Sequence, residues 1–247
     1  MLSALSLGAT LYMPATRPDL WQVVNGEKYP ELRSLVICLE DAVSEHEVEA
    51  AKVNLKHLLQ QVQDQPRQAQ HPKIFIRPRH IAMAEELAQW PELIMADGMV
   101  LPKFCLNQLR QWQQILPDFI QVMPTLEDAE TFDMGAMREL RQALQQDFRQ
   151  VLVLRIGGND LLNCLAVRRP SDLTLYQTPI GALIANLAGQ FLPYGFALSA
   201  PVCEHFTQVK LLQDELYLDL QHGLSGKWRS GCHSSGTGLY LARYRYT

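Results

Sequence analysis

Short apolar runs alternate with longer stretches in which apolar residues recur every three or four positions, and this alternation covers most of the chain. The run at 151–156 is the clearest. It carries little polar alternation, which predicts a strand buried on both faces, and it stops at Gly157-Gly158 before presenting Asn159 and Asp160. Comparable runs at 8–13, 35–39, 73–77, 98–101, 119–123 and 195–199 predict six more strands, several closed by Pro14, Pro78, Pro102 or Pro124.

Between these runs the period changes from two to about 3.6. Val48, Ala51, Leu55, Leu58, Leu59 and Val62 share one helical face, and Ser44-Glu45-His46-Glu47 before them predicts a capping box. Further helices are predicted near 18–24 and over 82–90, 106–116, 129–148, 180–191 and 202–220. Strands alternating with helices in this way imply parallel pairing through crossover helices. Seven such units and room for an eighth predict an α/β fold, a (β/α)8 TIM barrel forming a single domain over 1–247. From Gly223 onward the pattern fails: 223–236 is poor strand material, whereas 239–246 has strand-like residues but no helix can follow it. Closure of the barrel is therefore expected to be incomplete or borrowed from a partner subunit.

Composition narrows the function classes. With 47% hydrophobic residues and a net charge of −4 over 247 residues, the chain has material for a large core and no basic face for nucleic acid. Cys38, Cys105, Cys164, Cys203 and Cys232 are far apart, with no CxxC pair, as expected of reduced thiols in a cytoplasmic protein. The N-terminal residues lack the basic segment of a signal peptide and run on into the first predicted strand; no apolar stretch is long enough for a membrane span.

In a barrel of this kind the residues ending successive strands face one mouth, where active sites are built. Here they are Glu40 and Asp41, Arg77 and Arg79, Lys103, Glu127, and Asn159 with Asp160. Magnesium takes oxygen ligands and commonly only one or two carboxylates, so Glu127 and Asp160, at neighbouring strand ends, are the candidate metal ligands. Arg77 could clamp a substrate carboxylate through its planar fork. Lys103 could attack a carbonyl as a Schiff-base lysine, but two well-placed acids favour a metal-based site. Other signatures are absent: there is no GxSxG, HExxH or GxGxxG, and Gly226-Lys227 lacks the following Ser or Thr of a phosphate loop.

Together, Leu39-Glu40-Asp41-Ala42-Val43, Phe75-Ile76-Arg77, Val100-Leu101-Pro102-Lys103, Thr125-Leu126-Glu127 and Gly158-Asn159-Asp160-Leu161 resemble, in order, the HpcH/HpaI aldolase and citrate lyase beta-subunit family. The resemblance spans about 8 to 227, and the Gly-Gly-Asn-Asp form is closest to a branch associated with bacterial tellurium-resistance gene clusters. It implies a homo-oligomeric barrel with Mg2+ on Glu127 and Asp160. It also implies a catalytic set of Arg77, Glu40 and Asp41, with Arg79, Lys103 and Asn159 near the substrate. The expected activity is cleavage or formation of a carbon–carbon bond in a small carboxylic acid or its CoA thioester. Alternatives on the same barrel are an acyl-CoA thioester hydrolase and a non-catalytic metal-binding scaffold subunit. After Lys227 the family's Ile-His-Pro segment is missing, and Trp228 to His233 read as unrelated sequence, as a frameshift would produce.

Overall fold

In this computed structural model, residues 2–65, 68, 70–203, 205 and 207–225 are described, together with the backbone of 228–230. The chain alternates β1 (Thr10–Pro14), α1 (Leu20–Val24), β2 (Ser34–Cys38), α2 (Val48–Asp64), β3 (Lys73–Arg77), α3 (Ile81–Ala88), β4 (Gly98–Leu101) and α4 (Leu109–Ile115). It continues through β5 (Gln121–Leu126), α5 (Met134–Asp147), β6 (Leu154–Ile156), α6 (Gly158–Cys164), α7 (Pro179–Phe191), β7 (Leu198–Ser199), α8 (Val209–Gln221) and β8 (Trp228–Ser230). Strand order in the sheet follows the chain from β1 to β7, with β8 beside β1, and every pairing is parallel. Just before β8, the Ser225 amide bonds the Leu198 carbonyl of β7 at 2.8 Å, so the two edges of the sheet approach each other. This is the (β/α)8 barrel that the alternation predicts. No helix among the described residues is long and apolar enough to cross a membrane.

The two-residue period of each strand sorts side chains between two cores. Leu35, Ile37, Ile74, Ile76, Val122, Leu126, Leu154 and Ile156 point outward and pack under the helices. Val36, Phe75, Val100, Met123 and Val153 point inward and fill the barrel together with Leu7 from the N-terminal turn. Two residues further along the strands, the same inward phase carries Cys38, Arg77 and Arg155, which therefore stand one layer above an apolar floor. The mouth chemistry thus rests on a packed base.

Some boundaries differ from the sequence pattern. The fifth strand is Gln121–Leu126 and runs through Pro124 instead of stopping there. Pro124 lies between the isolated Val122–Val151 bridge and the Thr125–Arg155 pairing, where the ladder to β6 is interrupted and a missing N–H is tolerated. The same interruption shortens β6 to Leu154–Ile156. Ser44 forms no capping box: its hydroxyl donates to the Glu47 carboxylate instead of accepting a helix amide, and a 3-10 turn precedes α2. Helix 129–148 is split at Asp133, whose carboxylate accepts from Gly135 and Ala136 and starts α5 afresh at Met134. The last helix begins at Val209, not 202, and the eighth strand comes from 228–230, inside the stretch read as poor strand material. Pairing of those residues with Thr10, Leu11 and Tyr12 supplies what local propensity lacks. The strand-like segment 239–246 lies outside the described residues.

Candidate active site

A cavity of about 240 Å3 opens at the carboxyl ends of the strands, with Tyr12, Asp41, Arg77, Glu127, Arg155 and Asp160 in its wall. Arg77, ending β3, is the hub. Its Nε pairs with Glu40 and its Nη2 lies 3.3 Å from Glu127 Oε1 and 3.5 Å from Asp41 Oδ2. Burial works against the charge of Arg77, but Tyr12, Glu127 and Glu40 around it hold its pKa above the ordinary value. Burial pushes Glu40 up to about 7, with Asp41 and Glu127 adding to the shift and Arg77 opposing it. Burial likewise raises Glu127, against Arg77, Arg155 and a backbone amide.

That amide belongs to Lys103 and donates to Glu127 Oε1 at 2.8 Å. Lys103 adopts a left-handed backbone (φ 47°), uncommon for a residue with a Cβ, and the turn it makes after β4 points its N–H at the acid. On the other side, Gly157 leaves room for the same carboxylate. A Cβ there would lie 2.3 Å from Glu127 Cβ and 2.7 Å from Oε2. Gly158 opens α6 in equally tight quarters, between Pro201 and Leu175, and places Asn159 and Asp160 in the first turn of the helix at the cavity wall.

Several solved structures align with most of the chain. The citrate lyase beta subunit of M. tuberculosis, solved with oxaloacetate and magnesium, aligns with a TM-score of 0.67 at 17% identity, covering 93% of this chain and 94% of that one. RipC from Yersinia pestis aligns at 0.65 and 17%, covering 93% and 92%. Haloferax volcanii malate synthase, solved as a lead(II) complex, aligns at 0.72 and 13%, covering 96% and 76%. At these identities the likeness establishes the fold. No curated protein matches in sequence. A family model described as the C–C bond lyase of the TIM-barrel fold matches residues 1–229. The chain belongs to this family of enzymes.

In this C–C bond lyase the residues expected from sequence divide into two groups. Asp41, Arg77, Glu127, Asn159 and Asp160 meet around one cavity, and Glu40 joins them through Arg77. Arg79 turns instead to the loop after β2, donating to the Val43 carbonyl at 2.6 Å and pairing with Glu45 at 3.1 Å. Lys103 is exposed and contributes its amide to the site. The donors fit a hard divalent cation: three carboxylates, Asp41, Glu127 and Asp160, line the cavity, and the absent side chain at Gly157 leaves room for that of Glu127. A set of Cys105, Asp128 and Glu130, with ligand atoms within 4.8 Å of one another, lies outside the cavity wall.

Two cavity residues had no role in the sequence reading. Arg155 is buried, donates to the Tyr12 hydroxyl, and has its guanidinium carbon 4.7 Å from the Tyr12 ring centre. Burial lowers its pKa, and the nearby Arg77 lowers it further, while burial pushes Tyr12 up. The signal was present in the sequence: Arg155 shares the inward phase of Val153 and Gly157 in a strand otherwise apolar.

Proposed function

We propose that this lyase uses Mg2+, held by Glu127 and Asp160, to make or break a carbon–carbon bond in a small hydroxy or keto carboxylic acid or its CoA thioester. The observation that carries this reading is the convergence of Glu127, Asp160 and Arg77 on one cavity of about 240 Å3, a size suited to a small acid. Cleavage beside a carboxylate or thioester leaves an electron pair delocalised onto the carbonyl oxygen as an enolate. A bound divalent ion supplies Lewis-acid stabilisation of that developing charge.

The chain's own groups do the rest. Arg77, braced by Glu40, binds the substrate carboxylate. The Lys103 amide and Arg77 fix the Glu127 carboxylate in one orientation before substrate arrives, so little reorganisation is needed during reaction. Arg155 adds a second buried positive charge facing an anionic substrate, with Tyr12 orienting it. The apolar layer beneath excludes bulk water from the floor of the cavity. The relatives solved with oxaloacetate and magnesium, and with magnesium, acetoacetate and coenzyme A, support this substrate class. The test is a panel of hydroxy and keto acids, free and as CoA thioesters, assayed with Mg2+ for release of pyruvate or an acetyl product. Turnover that falls at least a hundredfold in Glu127→Ala and Asp160→Ala supports the reading; equal turnover in all three proteins removes it.

A further inference from the structure

Helix α8 is built with its polarity reversed. Its buried stripe, spaced by four residues, is Leu211, Glu215 and Asp219, whereas Val209, Tyr217 and Leu220 are exposed. Carboxylates are rarely buried unless paired, so this stripe requires partners. They come from the segment between α6 and α7. Arg169 pairs with Glu215, the Leu175 amide donates to Glu215 Oε1 at 2.8 Å, and the Tyr176 hydroxyl donates to Asp219 at 2.6 Å. Arg169 also donates to the Val202 carbonyl at 2.9 Å, and Val202 is part of the cavity wall.

These bonds converge on one point of the site. Leu175, whose amide Glu215 holds, closes the space over Gly158, where a Cβ would lie 2.9 Å from Leu175 Cδ2. The same added Cβ would lie 2.7 Å from Pro201 Cβ, and Pro201 is next to the Val202 whose carbonyl Arg169 holds. Gly158 is the first residue of α6 and is followed by Asn159 and Asp160. We propose that Glu215 and Arg169, on elements outside the cavity wall, are positioning residues that set the α6 N-terminal turn through Leu175 and Val202 and so fix the Asp160 carboxylate. The inference deepens the metal-dependent reading above and rests on it for the role of Asp160. Supporting residues of this kind change metal affinity by roughly 10- to 100-fold in general.

The test uses the full chain and four variants. Glu215→Gln removes the charge partner of Arg169, and Arg169→Lys keeps the charge while losing the fork. Leu175→Ala leaves the ion pair and the Leu175 amide intact and removes the side chain that closes over Gly158, so it remains informative if the first variant folds poorly. Lys210→Ala, exposed on the same helix, is the control. In metal-free protein, amide hydrogen exchange over 157–164 is expected to quicken about tenfold in Glu215→Gln and Leu175→Ala. It should quicken less in Arg169→Lys and stay unchanged in Lys210→Ala. The dissociation constant for Mn2+, read by calorimetry, is expected to weaken about tenfold in the first two. A lowered melting temperature with unchanged exchange over 157–164 overturns the proposal, because it leaves these residues a structural role alone. Asp160-dependent binding in the parent that is unchanged in both variants overturns it too. Exchange that responds in a protein whose Mn2+ binding ignores Asp160→Asn sinks the metal assignment and leaves the positioning intact.

Discussion

Arg77 reaches Glu127 across the mouth of the barrel, Nη2 lying 3.3 Å from Oε1, although the two residues are 50 positions apart in sequence. Both side chains are buried, and Glu40 pairs with Nε of the same guanidinium. One cation therefore compensates two buried acids, a structural role beside the substrate-binding role proposed for it.

Removing that cation strands both acids. Arg77→Met is expected to destabilise the metal-free protein by about 3–5 kcal/mol, the usual cost of leaving a buried charge without its partner. Urea unfolding checks this. The Arg77→Met/Glu40→Gln double variant should recover part of the loss, because one of the stranded charges is gone.

Gly157→Ala places a methyl group against Glu127, 2.3 Å from its Cβ, with rigid strand ends on both sides. Overpacking of this kind costs about 1–3 kcal/mol. The displaced carboxylate should also lose the Lys103 amide. Calorimetric titration is expected to show Mg2+ affinity falling more than tenfold.

Lys103→Gly separates two chemistries. The left-handed backbone at this position suits glycine, and the amide that serves Glu127 is retained, so activity should stay within about threefold and stability within about 1 kcal/mol. A Schiff-base lysine would instead make this variant inert. Borohydride trapping with a keto acid should accordingly give no adduct on the parent protein.

The pH dependence of stability has a contribution away from the mouth. Asp19 is held well below the usual carboxylate range, chiefly by its hydrogen bonds from Arg17 at 2.7 and 2.8 Å, against the effect of burial, with Lys28 assisting. A depressed folded-state pKa stabilises above the unfolded value and is lost as pH falls towards the folded one. Asp19→Asn should therefore cost about 0.5–1 kcal/mol at pH 7, the pair being partly exposed, and the gap to the parent should close as pH drops below about 4. Thermal unfolding across that range measures it.

The fold was legible because parallel strands covered on both faces are written as uninterrupted apolar runs, and the polar residues that end them mark one rim. Arg77 and Glu127 could be placed on that rim from their positions at strand ends alone. The role of the Lys103 amide could not, because a backbone N–H leaves no trace in residue type. Glu215 and Asp219 read as solvent-facing residues of an amphipathic helix, since their partners Arg169 and Tyr176 lie 46 and 43 positions away and only the folded chain brings them together. The eighth strand was missed for a similar reason: its pairing with β1 joins Trp228 to Thr10, far apart in sequence.

The central claim is that Glu127 and Asp160 share one divalent cation. A crystal grown with Mg2+ and oxaloacetate or pyruvate tests it most directly. The expected result is an ion bonded to both carboxylates, with the keto acid beside it and its carboxylate on Arg77. An ion bound instead at Cys105, Asp128 and Glu130, with the cavity of Arg77 taking no ligand, would contradict the account.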